Sequence, residues 1–119
     1  MQFVCVIASH LSSTERVNWL NQCLISALEG LKADKIILSC SGDIEPVLPE
    51  DKRIHLLRHT QKKFQFQHLE SILHLISDDN IVIVMDDDDL FLPKTREIIE
   101  DLLQQGAKCF EGLAYCTFF

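Results

Sequence analysis

Three features of the sequence predict an α/β fold with a mostly parallel sheet and helices on both faces. Short, uniformly apolar runs of strand type alternate with longer runs whose apolar residues recur at helical spacing. Such runs suit strands covered on both faces, as in a parallel sheet with right-handed crossovers. The most apolar run ends in four consecutive aspartates, Asp86 to Asp89. A chain of 119 residues, 47% hydrophobic with four Gly and three Pro, is expected to form a single domain over 1–119 with one core.

Residues 3–8, FVCVIA, form the first expected strand. A polar stretch over 9–14 follows, and Ser12 three residues before Glu15 matches a capping box, so a helix is expected to start there. Val17, Leu20, Leu24, Ala27, Leu28 and Leu31 then repeat at three- and four-residue spacing, and Gly30 offers a stop. Residues 35–40 make a second strand and 53–57 a third, separated by Ser41-Gly42-Asp43, Pro46 and Pro49, which mark a surface loop. Phe66, Leu69, Ile72, Leu73 and Ile76 form a second helical stripe, with Phe66 in the core. Residues 81–85, IVIVM, form a strand expected to be fully buried. Pro93 opens a further helix with Ile98, Ile99, Leu102 and Leu103 inward, ending near Gly106, and 108–119 is expected to add a last strand.

Composition excludes several classes of function. A formal net charge of −7 leaves no basic stripe for nucleic acid. No stretch reaches the roughly 18 apolar residues of a membrane span, and the N-terminus lacks the basic start and long apolar run of a secretory leader. Five cysteines, Cys5, Cys23, Cys40, Cys109 and Cys116, show no metal-binding spacing and read as buried free thiols, which places the protein in the cytoplasm.

The aspartates carry the chemistry. In open α/β sheets, ligands sit outside the carboxyl ends of the strands, where these four residues fall. Two like charges about 4 Å apart near a protein surface cost on the order of 4 kcal/mol, so the run calls for a cation. Hard oxygen donors suit Mg²⁺, Mn²⁺ or Ca²⁺, and Mg²⁺ is commonly shared between carboxylates and a substrate's phosphates. The plain alternative is a solvated acidic loop, against which stands the apolar strand that the run abuts.

The segment IVIVMDDDDLFLP, from Ile81 to Pro93, resembles the strand and D-x-D-D-x-x-x-P motif of family 2 glycosyltransferases of the Rossmann-like GT-A fold. FVCVIASH is similar to their first strand and KIILSCSG to their second. The resemblance implies transfer of a sugar from a nucleoside-diphosphate sugar to an acceptor hydroxyl, with Mn²⁺ or Mg²⁺ neutralising the leaving diphosphate. It implies that Asp86 faces the ribose or diphosphate, that Asp88 coordinates the metal and that Asp89 supports the metal shell, with Asp87 at the variable position of the motif. Ala8, Ser9 and His10 stand where the family has a turn bordering the base, so Ser9 and His10 are expected to line that pocket. Ser39, Cys40 and Ser41 stand where the family has a nucleotide-contacting Asp, and Glu70 and Ser71 where it often has an Arg-Asn pair.

Arg58, Lys62 and Lys63 precede the second helix and lie within reach of a diphosphate. Most of the five histidines read as ordinary surface or edge residues, and Trp19 as packing. Family members continue into an acceptor-binding half that supplies a carboxylate base, and this chain ends before it, so a fragment, a homodimer or a completing partner subunit is expected. The alternative is a non-catalytic GT-A-like domain that binds nucleotide-sugar or a partner protein. Phosphatases of the haloacid dehalogenase type share the Asp-x-Asp spacing of Asp86 and Asp88 but want Thr or Val where Leu90 stands.

Overall fold

The computed structural model of the protein describes residues 1–112. The order is β1 (Phe3–Leu11), α1 (Thr14–Glu29), β2 (Lys35–Gly42), β3 (Ile54–Arg58), α2 (Gln65–Ile72), β4 (Ile81–Asp86) and α3 (Thr95–Gln104), with a 3₁₀ turn at Leu73–Leu75. The strands form one all-parallel sheet in the order β3-β2-β1-β4. From β1 the chain winds outward through β2 to β3, then returns through α2 to β4 on the other side of β1. Crossovers of one hand that reverse direction must place their helices on opposite faces of the sheet.

Two cores result, as the strand alternation dictates. Phe3, Cys5, Ile7 and Leu11 of β1 join Ile36, Leu38 and Cys40 of β2 beneath Val17, Leu20, Leu24 and Ala27 of α1 and Ile99 of α3. On the other face Val4, Val6 and Ile37 meet Ile72, with Leu69, Leu75 and Ile76 packed around them. At about 1.5–3 kcal/mol per fully buried aliphatic side chain, the larger α1 face supplies most of the apolar stabilisation.

Several expected boundaries and facings are corrected. β1 runs through Ser9 and His10 to Leu11, because it stays paired with β2 as far as Gly42. The helix therefore starts one residue later than expected, capped by Ser13, whose Oγ accepts from Arg16 N at 3.2 Å, and not by Ser12. Gly42, at φ +109°, makes the close approach possible: a Cβ there would lie 2.2 Å from Leu11 O. β4 is not fully buried. α2 lies over β1 and β2, which leaves Val82 and Val84 exposed.

In α2, Phe66 is 86% exposed and His68 only 2%, the reverse of the expected phase. The sheet beneath presents Ser39 and Ser41, which offer hydrogen bonds to an imidazole and nothing to a phenyl ring. The 3₁₀ turn then shifts the phase, so Leu73 is exposed too. In α3, Ile99 is buried while Ile98 is exposed. No strand forms over 108–112, and the rest of the expected last strand, with Cys116, Phe118 and Phe119, lies outside the described residues. Cys5, Cys23 and Cys40 are buried as expected, whereas Cys109 is exposed. Among the described residues no helix is long and apolar enough to cross a membrane.

Candidate metal centre and phosphate cleft

β1 is the strand from which the chain departs in both directions, so its carboxyl end beside β4 is the topological switch point of the sheet. An open cleft of about 310 Å³ lies there, lined by Ala8, Ser9 and His10 from β1, Arg16 from α1, Lys63, Gln65 and His68 from the α2 side, and Asp86, Asp87 and Asp88. Seven of the expected site residues thus come together. Asp89 and Ser41 stand just outside the lining.

The aspartates divide into two roles. After β4 the backbone turns, Asp89 N donating to Asp86 O at 3.3 Å, and this brings carboxylate oxygens of Asp86, Asp88 and Asp89 within 4.8 Å of one another at the exposed rim. Three convergent carboxylates are a hard donor set that fits Mg²⁺, Mn²⁺ or Ca²⁺, with coordination positions left for water or phosphate oxygen. Burial, with the charges of Asp88, Asp86 and Asp87, raises the Asp89 carboxyl above its ordinary value. Asp87, by contrast, turns inward. It accepts from Ser9 Oγ at 2.7 Å and lies 3.9 Å from Arg16, so it ties the turn to β1 and α1 while still lining the cleft.

α1 holds this turn from below. Cys23 Sγ donates to Asp86 O at 3.4 Å, and Ser26 Oγ accepts from Phe91 N at 3.0 Å while donating to Cys23 O at 2.7 Å. Burial, reinforced by the neighbouring aspartates, pushes the Cys23 thiol up to about 12, so it remains a protonated donor. Gly30 lets the chain pass close by: a Cβ there would meet Leu92 O at 2.8 Å and Phe91 O at 3.1 Å. Gly30→Ala is expected to cost about 1–3 kcal/mol by displacing residues 90–92. Urea unfolding would measure that loss, and an unchanged midpoint would show that the loop gives way freely.

Cationic groups stand in the same cleft. Arg16 and Lys63 line it, offering an anion two positive charges in an otherwise acidic protein. Arg58 does not: it pairs with Glu45 at 3.3 Å and donates to the carbonyls of Cys40, Gly42 and His59. Lys62 sits over the Phe64 ring, its Nζ 5.7 Å from the centroid. Trp19 is a partly exposed neighbour of Arg16, whose guanidinium lies 5.9 Å from the ring centroid.

Three lining residues, Arg16, Gln65 and His68, escaped the sequence reading. Arg16 occupies the first turn of α1, where a cation opposes the helix dipole and so needs a local reason, here Asp87. His68 is buried rather than a surface residue, contrary to expectation. Its Nδ1 lies 2.7 Å from Ser39 Oγ and its Nε2 3.3 Å from Ser41 Oγ. Burial, with His59 and Lys63 nearby, lowers His68 to about 4, so the ring is neutral at pH 7. Ser41 also meets His10 Nδ1 at 2.9 Å, which makes it a support behind the cleft rather than a lining residue. Compared with protein families, with curated proteins and with solved structures, the chain gives no match, and the functional reading rests on this geometry.

Proposed function

We propose that the chain is the donor-binding portion of a GT-A-type glycosyltransferase. It would bind a nucleoside-diphosphate sugar through Mn²⁺ or Mg²⁺ held by Asp86, Asp88 and Asp89. The observation that carries this reading is the convergence of those three carboxylates at the switch point of a parallel sheet, at the rim of a cleft that Arg16 and Lys63 line. A cation there would be shared with the diphosphate, whose remaining charge faces Arg16 and Lys63. Its chemistry would be stabilisation of the departing diphosphate.

Ser9, which the resemblance assigns to the base pocket, spends its hydroxyl on Asp87, so the nucleotide would meet Ala8 and His10 rather than that hydroxyl. The exposed Val82 and Val84 of β4 support a fold completed by further chain or a second subunit. Three buried thiols are in keeping with a cytoplasmic setting. One observation favours the second reading, a domain that binds donor without turnover: among the described residues, no carboxylate lines the cleft apart from Asp86, Asp87 and Asp88.

Calorimetric titration of UDP and GDP, with and without Mn²⁺, tests the donor site. Binding is expected only with metal and is expected to be lost in Asp88→Ala. Absence of binding by any nucleoside diphosphate in the presence of Mn²⁺ would sink the donor reading.

A further inference from the structure

The turn that carries the aspartates is fastened to α1 at both of its ends. At the first end, Cys23 Sγ donates to Asp86 O at 3.4 Å, the same carbonyl that closes the turn by accepting from Asp89 N at 3.3 Å. At the second, Phe91 N donates to Ser26 Oγ at 3.0 Å. Cys23 and Ser26 stand three residues apart in α1 and therefore share one face of the helix. Asp87, between the two anchors, is tied inward to Ser9 and Arg16. The side chains of Asp86, Asp88 and Asp89 are left to converge, with carboxylate oxygens within 4.8 Å of one another.

The chemistry of Ser26 fixes the direction of its contacts. A hydroxyl has one proton, and Ser26 gives it to Cys23 O at 2.7 Å, the back-bond of a serine inside a helix. Its lone pairs are then free to accept from Phe91 N. Alanine at this position would remove the acceptor and release the far end of the turn. Threonine would keep it, because its hydroxyl makes the same back-bond in a helix. Ser26 also borders an open groove of about 480 Å³ with Ile25, Leu90, Phe91 and Pro93, where the added methyl group finds room.

Carboxylates held this close repel one another until a cation joins them. A turn fastened at one end relieves that repulsion by swinging its free end away. Fastened at both ends, it keeps the carboxylates at one spacing. Cations differ in what they ask of such a spacing. Mg²⁺ requires near-ideal octahedral geometry at about 2.0–2.1 Å, whereas Ca²⁺ accepts irregular arrangements of oxygens at about 2.3–2.6 Å. Slack in the turn therefore costs the small ion more than the large one.

We propose that Cys23 and Ser26 are positioning residues that clamp the aspartate turn at both ends and so set its preference for a small octahedral cation over Ca²⁺. This rests on the donor-site reading, in which Asp86, Asp88 and Asp89 hold Mn²⁺ or Mg²⁺, and adds two residues that do not line the cleft. Their influence passes through the backbone, at Asp86 O and Phe91 N.

The test uses the full chain with metal ions alone, so that it is read separately from nucleotide binding. Mn²⁺ is titrated by the electron paramagnetic resonance signal of the free ion, and Mg²⁺ and Ca²⁺ by their displacement of it. Parent, Ser26→Ala, Ser26→Thr and Cys23→Ala are compared, with folding checked by circular dichroism. Ser26→Ala is expected to bind Mg²⁺ about 10–100-fold more weakly than the parent, the usual effect of losing a group that orients a metal ligand. Its Ca²⁺ affinity is expected to change by less than about threefold. Cys23→Ala should lower the ratio of Mg²⁺ to Ca²⁺ affinity in the same direction, and Ser26→Thr should keep the parent's ratio. A merely structural role would weaken both ions alike, so a folded Ser26→Ala with the parent's ratio overturns the proposal and leaves the metal centre standing. A folded Ser26→Thr that behaves as Ser26→Ala overturns it as well. A parent that binds none of the three ions removes the metal centre and the clamp together.

Discussion

Asp88→Asn is expected to have two opposite effects on stability, depending on whether metal is present. Without metal, the variant should unfold at a slightly higher temperature than the parent. Removing one charge relieves the repulsion that raises Asp89, whose causes after burial are the charges of Asp88, Asp86 and Asp87. With metal, the order should invert. A cation at a hundred times its dissociation constant stabilises the folded parent by about 2.7 kcal/mol. The variant, with two of the three convergent carboxylates left, should lose at least about 100-fold in affinity and most of that gain. Thermal unfolding with and without Mn²⁺ reads both effects. A variant that keeps the parent's metal-induced shift would show that Asp88 is not a ligand.

Acid should destabilise the protein through His68, and His68→Gln should remove that dependence. The folded His68 titrates near 4, below the ordinary value of about 6.5, because protonation would place a charge in a buried site already satisfied by two serines. Its folded value is depressed, so the unfolded chain binds the proton more readily. The contribution is complete above pH 6.5 and is lost as pH falls from 6.5 toward 4. Its size is on the order of 2 kcal/mol. Asp89 acts with the opposite sign, since a carboxyl raised in the folded state is relieved by protonation. Comparing parent and His68→Gln by denaturant unfolding at pH 7 and pH 4.5 isolates the histidine, as Gln can still donate and accept but does not titrate. Equal acid sensitivity in the two proteins would contradict this account.

The α/β class, the element order and the position of the aspartates after β4 were legible in the sequence, because hydrophobic period and chain order depend on local composition. The continuous apolar runs FVCVI of β1 and IILSC of β2 are buried on both faces, as such composition predicts for the inner strands of a parallel sheet. The placement of acidic residues at a strand's carboxyl end likewise requires only the strand and its direction. Expected cleft residues as far apart as Ala8 and Asp88 meet for that reason.

Facing and partnership were decided by the tertiary structure. IVIVM reads as buried on both sides, yet α2 settles over β1 and β2 and leaves Val82 and Val84 uncovered, which no local pattern encodes. Phe66 loses its expected place to His68 because two serines on another strand reward an imidazole with hydrogen bonds. Four adjacent aspartates look equivalent in the chain. Only the fold, by setting Ser9 and Arg16 beneath Asp87 and turning Asp86, Asp88 and Asp89 toward one another, separates the carboxylate that ties the loop from those that can hold a cation. The sequence by itself determined which chemistry gathers at the end of β4. The division of labour among those residues depends on partners from β1 and α1, some 70 residues away along the chain, and long-range packing alone brings them within bonding distance.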